Sequence, residues 1–166
     1  IAVADQLLAR FWDHDGTGLF TTPHDGEQLV TRAKDLLDAA TPSANSLAAA
    51  ALLRLSALTG SDEHRERALQ IVTLLAPLAN DHAAALGHLL AVVDLAVHGI
   101  VEVAVVGDPS SADFAVLRRV ALMGTSPGLV VALGDGEPEA DAVPLLRDRP
   151  ARAGRATAYV CRAFAC

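Results

Sequence analysis

The chain has 166 residues, 20 of them acidic and 13 basic, with a formal net charge of −7 at pH 7. This acidic balance argues against a nucleic-acid-binding surface, which needs clustered Lys and Arg. The apolar share of 52% excludes an intrinsically disordered chain, and the length fits one domain or two small ones. No apolar run reaches the roughly 18 residues of a membrane span, and the first residues lack a signal peptide's basic start. We therefore expect neither nucleic acid nor a membrane as a partner.

The first part of the chain reads as helices and loops. Val3–Trp12 has apolar residues at helical spacing, and the glycines of Asp13–Gly18 end that helix. Two short β-leaning segments, Gly18–Thr22 and Glu27–Arg32, are candidates for a hairpin. Residues 33–41 are ambiguous between a loop and a short helix.

Three helices are predicted next. Thr41 is the expected cap of the first, with Pro42 at its first position and Gly60 after its end. The second follows Ser61, and the third spans about Ala83–His98. The predicted apolar face of the first comprises Leu47, Ala50, Ala51, Leu55 and Leu58. These helices are apolar around much of their circumference, so we expect a neighbouring surface to cover them.

The last part alternates between strands and helices. The expected strands are Val101–Val106, Leu129–Leu133 and Thr157–Cys161, separated by helices at Ala112–Met123 and Ala140–Arg147. This β-α-β-α-β order predicts a three-stranded parallel sheet with right-handed crossovers. The predicted fold class is therefore mainly α with a small α/β end.

Cysteine occurs only at Cys161 and Cys166. So few cysteines are typical of a reducing compartment, and we expect a cytoplasmic location. On a straight strand the two side chains would face opposite sides, so a disulfide would need a bend. Packed or free thiols are the favoured interpretation, and redox or metal chemistry is the weaker alternative.

Several segments resemble a known family. They are Leu29–Ser46, with Lys34–Ser46 as its most specific part, Leu53–Gly60, Val105–Asp108 and the tail Ala158–Cys166. Together they are similar to the C-terminal third of the thioredoxin domain-containing, YyaL-like proteins, in order and over nearly the whole chain. The sequence departs from the family pattern at Ala33, where Pro is expected, and at Ala44, where Gly is expected.

The resemblance implies a parent protein of three parts. A thioredoxin-like domain is followed by a helical toroid, similar to the N-acylglucosamine 2-epimerase and six-hairpin glycosidase folds, and by a small α/β segment. Residues 1–99 would then be the last helical hairpins of an incomplete (α/α) toroid, and residues 100–166 the α/β subdomain. The expected partners are the N-terminal parts of the same parent chain, with a homo-oligomer through exposed apolar helices as the other possibility.

A dense polar cluster precedes and opens the helix at Pro42. It comprises Lys34, Asp35, Asp38, Thr41, Ser43, Asn45 and Ser46. Free backbone N–H groups in a first helical turn bind anions or hydroxyls, and paired carboxylates beside a lysine suit sugar hydroxyls or acid–base work. The resemblance implies that the toroid's ligand cleft lies at this end. The alternative is helix capping with local salt bridges.

His88 is a further candidate because it lies on an apolar helix face near Asp94, although buried structural histidines are more common. The predicted ligand-binding residues are Lys34, Asp35, Asp38, Ser43, Asn45 and His88. No catalytic residue is assigned, and no cofactor or metal is predicted.

Two other patterns are read as turns. Residues 13–18 match the start of a calcium loop, but position 12 of that loop is His24 instead of glutamate. Gly107-Asp108-Pro109 follows a strand where α/β sheets often bind ligands, yet no phosphate-binding motif accompanies it.

The function expected from all of this is a fragment that contributes to a carbohydrate-type ligand cleft and is not catalytic alone. The alternatives are an interaction module that docks the thioredoxin-like domain, or a redox partner acting through the tail cysteines.

Overall fold

The computed structural model describes residues 1–27, 30–136 and 143–166. Within these residues the chain forms five α-helices and three strands. They are α1 (Ala2–Phe11), α2 (Ala44–Thr59), α3 (Asp62–His82), α4 (Gly87–His98), β1 (Val101–Val106), α5 (Ala112–Leu122), β2 (Leu129–Gly134) and β3 (Thr157–Cys161). The predicted fold class, mainly α with a small α/β end, is confirmed. None of the described helices combines the length and the apolar character needed to cross a membrane.

The chain divides into two compact units. The first comprises Ile1–Leu53 and Asp62–Val97, and the second comprises Arg54–Ser61 and His98–Cys166. The first unit is helical, and the second holds the sheet.

The core of the first unit is formed by aliphatic side chains of α2, α3 and α4. The buried residues include Leu52, Ile71, Leu75, Leu89 and Val92. The predicted apolar face of α2 is partly wrong, because Leu47 and Ala51 are exposed while Ala48 and Ala49 are buried. Buried polar residues in the first turn, described below, fix the rotation of this helix, and apolar periodicity does not report them.

The start of α2 also differs from the prediction. Thr41 and Pro42 lie outside the helix, which begins at Ala44. The backbone N–H groups of Ser43 and Ala44 donate to the carboxylates of Asp38 and Asp35, at 2.8 and 2.9 Å. Two aspartates from the preceding loop therefore do the capping that the sequence assigned to Thr41.

The hairpin predicted at Gly18–Thr22 and Glu27–Arg32 is not observed in the described residues, and Gln28 and Leu29 lie outside them. The first segment pairs instead with the end of α1, through a bridge between Trp12 and Leu19 and an N–H···O bond from Phe20 to Phe11 of 2.9 Å. Residues 33–41 form no helix and belong to a loop.

The sheet of the second unit has the order β2-β1-β3. β1 runs parallel to β2, with Val101 opposite Leu129, and antiparallel to β3, with Glu102 opposite Cys161. The prediction of a fully parallel sheet is therefore wrong for β3. A parallel return generally requires a crossover element such as a helix.

The described part of the second connection does not contain the predicted helix at Ala140–Arg147. A single 3₁₀ turn at Pro144–Leu146 is present, and Arg147 is already extended. Residues 140–142 of that prediction lie outside the described part. Pro144 fits the start of a short turn because it lacks a backbone N–H.

Both faces of β1 are covered. Phe114 of α5 packs on the face that carries Val103 and Val105. On the other face, Ala104 and Val106 belong to a cluster completed by Ala57, Val130, Ala132, Leu145 and Leu146. Because β1 is the central strand and is buried on both faces, it reads as a nearly continuous apolar run in the sequence.

Candidate functional site

The carboxylate of Asp38 joins the beginnings of two helices. Oδ1 accepts hydrogen bonds from the backbone N–H of Ser43 at 2.8 Å and from the hydroxyl of Ser46. Oδ2 accepts from the backbone N–H groups of His88 at 2.8 Å and Leu89 at 3.1 Å. One side chain therefore supplies acceptors to the otherwise unpaired N–H groups that open α2 and α4.

This environment favours the ionised form of Asp38. Burial of the carboxyl acts to raise its pKa, but the hydrogen bonds from Ser46, Ser43, Leu89 and His88 together outweigh that effect and lower it. The positive ends of the two helix dipoles also favour a negative charge at this position. Asp38 is thus held as an anion with four donors around it.

Asn45 is fully buried and fastens the loop after α1 to the first turn of α2. Its Oδ1 accepts from the backbone N–H of Leu19 at 2.7 Å, and its amide donates to the carbonyls of Leu19 at 3.0 Å and Asp35 at 2.8 Å. Beside it, the buried hydroxyls of Ser43 and Ser46 are 2.8 Å apart. The polar groups of these side chains are therefore used in hydrogen bonds within the protein.

Lys34 spans the turn that follows α1. Its ammonium donates to Oδ2 of Asp13 and to the carbonyl of Thr17, both at 2.6 Å. The hydrogen bond from Lys34 is the main reason that the pKa of Asp13 is lowered. Oδ1 of Asp13 accepts from the backbone N–H groups of Asp15 and Gly16, at 3.1 Å each, which is the geometry of a turn.

A groove lies beside Lys34 and Asp35. It has a volume of about 440 Å³ and is lined by Lys34, Asp35, Leu36, Leu37, Leu78 and His82. Only two of the predicted ligand-binding residues, Lys34 and Asp35, line it. Sequence reasoning missed the leucines and His82. The signal for Leu36 and Leu37 was that they are adjacent apolar residues inside a polar loop.

The remaining predicted residues lie elsewhere. Asp38, Ser43 and Asn45 belong to the hydrogen-bond network, and His88 contributes its backbone N–H to that network. The Nε2 atom of the His88 ring is buried and has no hydrogen-bond partner among the described residues. Within those residues, no group of three or more His, Cys, Asp or Glu side chains is arranged to hold a metal ion.

The segment Gly107–Pro109 forms the turn between β1 and α5. The carboxylate of Asp108 accepts from the backbone N–H of Ser110 at 2.8 Å, and the hydroxyl of Ser111 caps α5 by accepting from the N–H of Phe114. A Cβ atom on Gly107 would lie 2.8 Å from Cα of Ala156. The turn is therefore in close contact with the chain that enters β3.

Cys161 and Cys166 are joined by a disulfide. The favoured prediction of packed or free thiols is therefore wrong. The required bend comes from a tight turn, in which Arg162 and Ala165 exchange two backbone hydrogen bonds of 2.9 and 3.0 Å. Ala163 and Phe164 in this turn have positive φ, a conformation that sequence inspection does not predict for these residue types.

The comparison with known proteins links this mainly helical chain with its small α/β end to one group of relatives. The chain is 30% identical over 160 residues to spermatogenesis-associated protein 20 of Rattus norvegicus and of Homo sapiens, and 29% identical to that of Mus musculus. Each alignment covers 94% of this chain and 20% of the relative, so the chain spans about a fifth of the relatives' length. No protein-family model matches. No solved structure matches either.

This similarity supports the resemblance inferred from the sequence at a coarse level, over most of the chain. It does not extend to the helical toroid, for which the solved structures provide no match. No activity follows from the similarity itself.

Proposed function

We propose that this chain is the C-terminal part of a thioredoxin domain-containing, YyaL-like protein and contributes one wall of a cleft for a small hydroxyl-rich ligand of carbohydrate type. The similarity to spermatogenesis-associated protein 20 over 94% of the chain supports the first half of this proposal. The observation that carries the second half is the groove at Lys34 and Asp35.

The lining of this groove suits such a ligand. Leu36, Leu37 and Leu78 offer an apolar surface for the C–H face of a sugar ring, and Lys34, Asp35 and His82 offer polar groups at its edge. Ligand sites commonly combine an apolar lining with a few placed polar groups. Lys34 uses two of its three N–H donors within the protein, which leaves one for a ligand.

The polar network beside the groove would act as its support. Asp38, Ser43 and Asn45 hold the loop at residues 34–38 against the starts of α2 and α4 through the hydrogen bonds described above. Side chains already committed to such bonds position their neighbours and have little capacity left for chemistry. In this proposal the chain is therefore not catalytic alone, and other parts of the parent protein complete the cleft. A cytoplasmic location belongs to the same proposal. Because disulfides are rare in a reducing compartment, this location requires that the Cys161–Cys166 bond be one that can be reduced.

An NMR titration of the 166-residue chain with a panel of monosaccharides and linear polyols tests the groove. We expect shifts at Lys34, Leu78 and His82 with at least one compound, and loss of these shifts in Lys34→Met. Arg118→Met is the matched control, because it removes an exposed cation of the second unit. If no compound perturbs the groove residues in this chain or in its longer parent, the ligand proposal is wrong.

A second candidate function is an interaction module that docks the thioredoxin-like part of the parent chain. The observation in its favour concerns α1. No residue of this helix is buried, and the apolar side chain of Val3 is 84% exposed, so the helix has a face that a partner could cover. Size-exclusion chromatography of the chain, with and without the remaining parts of the parent, tests this function. A monomer that fails to bind those parts and exposes no dye-binding apolar surface would remove its basis.

A further inference from the structure

The disulfide in the second unit lies against an arginine. Arg149 Nε is 3.3 Å from Sγ of Cys166, and Nη2 of the same guanidinium is 3.7 Å from Sγ of Cys161. The guanidinium is held in place by two carbonyls, with Nη1 donating to Arg147 at 3.0 Å and Nη2 to Phe164 at 3.1 Å. A fixed cation beside sulfur stabilises the thiolate form of cysteine.

The two sulfur-bearing residues differ in access. Cys161 is 2% exposed, whereas Cys166 is exposed to solvent. Thiol–disulfide exchange requires a thiolate to reach one sulfur of the bond. An external thiolate can therefore reach Cys166 more easily, and Cys161 is then the leaving group.

The arginine contacts also differ between the two cysteines. Arg149 Nε is 3.3 Å from Sγ of Cys166, whereas Nη2, which also donates to the carbonyl of Phe164, is 3.7 Å from Sγ of Cys161. Glu102 lies opposite Cys161 across the antiparallel strands, and its carboxylate accepts from the backbone N–H of Phe164 at 2.8 Å. The lasting thiolate of the reduced pair is thus expected on Cys166, beside Nε of Arg149.

We propose that Cys161 and Cys166 form a reversible dithiol–disulfide couple, in which Cys166 is the sulfur attacked by an external dithiol and Arg149 stabilises the thiolates. This redox couple belongs to the second unit, and the proposal does not depend on the proposed ligand cleft.

The reduction proceeds in two exchanges. A thiolate of the external dithiol attacks Sγ of Cys166 and forms a mixed disulfide, while the Cys161–Cys166 bond breaks and Cys161 leaves as a thiolate that takes a proton from solvent. The second thiol of the reductant, once deprotonated, attacks the mixed disulfide and closes the reductant's own disulfide, which releases Cys166 as a thiolate. Two electrons pass to the protein, and the two protons lost by the dithiol go to the cysteines or to solvent.

The disulfide also closes a turn of unusual backbone conformation, so its reduction removes one constraint on that turn. Ala163 and Phe164 have φ of 48° and 63°, a region that residues with a side chain rarely adopt. The Phe164 ring packs against the cluster that contains Ala57 and Leu145. Without the crosslink, the turn is held by the backbone hydrogen bonds between Arg162 and Ala165 and by the packing and hydrogen bonds of Phe164.

The pH dependence of alkylation tests the role of Arg149. The reduced chain is treated with iodoacetamide over a range of pH, and labelling of each cysteine is followed by mass spectrometry. We expect Cys166 in the wild type to reach half its maximal rate below about pH 7.5, as is typical of thiols beside cations. In Arg149→Met that midpoint should rise by about one pH unit, which is a tenfold loss of thiolate at lower pH.

Two further variants control the result. Arg149→Lys keeps a positive charge and should give an intermediate midpoint, and it also provides a readout if Arg149→Met does not fold. Arg152→Met removes a cation of the same unit whose side chain donates to the hydroxyl of Tyr159, and it should leave the midpoint unchanged. A wild-type midpoint equal to that of a free cysteine, or equal shifts in the Arg149 and Arg152 variants, would overturn the proposal.

Single-cysteine variants test which sulfur is attacked. Cys161→Ser should form a mixed disulfide with oxidised glutathione at its exposed Cys166, and Cys166→Ser should react much more slowly at the buried Cys161. The reverse order would contradict the assignment of Cys166. Failure of this experiment says nothing about polyol binding at Lys34, so the two proposals are separately testable.

Discussion

The backbone N–H of His88 donates to the carboxylate of Asp38 across 50 positions of sequence, at 2.8 Å. Through this bond a loop residue near the start of α2 also caps α4. The arrangement places an ionised side chain where two helices need acceptors, so its removal affects both.

Substitution of Asp38 by alanine is expected to lower the free energy of unfolding by about 2–3 kcal/mol, because two helix starts lose their cap. Urea denaturation followed by circular dichroism measures the change. Asp35→Ala is the matched control. This substitution removes one exposed acceptor, which binds the backbone N–H of Ala44. It should lower the free energy of unfolding by less than about 1 kcal/mol. Equal losses in the two variants would show that the second helix does not depend on Asp38.

The stability of the chain should depend on the ionisation of Asp38. Its pKa in the folded state is lowered from the ordinary value of 3.8, since the hydrogen bonds to its carboxylate outweigh the effect of burial. Its contribution is therefore present above about pH 3.8 and is lost as the pH falls through the lower folded value. Unfolding midpoints measured between neutral pH and pH 3 should fall less steeply in Asp38→Asn than in the wild type. Parallel slopes would contradict this assignment.

Asn45→Ala should be among the more costly substitutions in the first unit. It leaves both the N–H and the carbonyl of Leu19 without their partner in a buried position. The expected loss is about 2–4 kcal/mol in the free energy of unfolding, measured by urea denaturation. Asn80→Ala, an exposed position of α3, provides the comparison and should change stability by less than about 0.5 kcal/mol.

Gly107→Ala is expected to destabilise the second unit. The new Cβ would lie 2.8 Å from Cα of Ala156, and φ at this position is +144°. Because the contact is with backbone, the strand entry must shift, at a cost of about 2–4 kcal/mol. Gly154→Ala is the comparison, since its φ of +67° lies in the left-handed region that alanine can enter and no atom lies within 4 Å of the added Cβ. Its cost should stay near 1 kcal/mol in the same denaturation assay.

Local patterns in the sequence predicted the elements of this fold well. The strands Val101–Val106 and Thr157–Cys161 have the predicted bounds, and α1 and α5 agree to within about one residue. Two of the failed predictions depended on contacts between segments. The direction of β3 depends on a pairing distant in sequence, and the capping of α2 depends on how the nearby loop places Asp35 and Asp38. No periodicity encodes them.

The candidate site was less predictable than the fold. The polar run at residues 34–46 predicted either a ligand site or helix capping with local salt bridges, and the second describes most of the observed contacts. The groove itself depends on Leu78 and His82 of α3, which are more than 40 positions away. Their approach to Lys34 is set by tertiary packing. The ligand role of the predicted residues remains a prediction.

The central place of β1 in the order β2-β1-β3 has a consequence for folding. One edge of this apolar strand pairs with β2, which is synthesised soon after it. The other edge stays unpaired until Thr157–Cys161 has been synthesised, about fifty residues later. A nascent or truncated chain without that segment would present an open, valine-rich edge to other molecules. Such edges template intermolecular pairing, so shortened forms ending before Thr157 should aggregate.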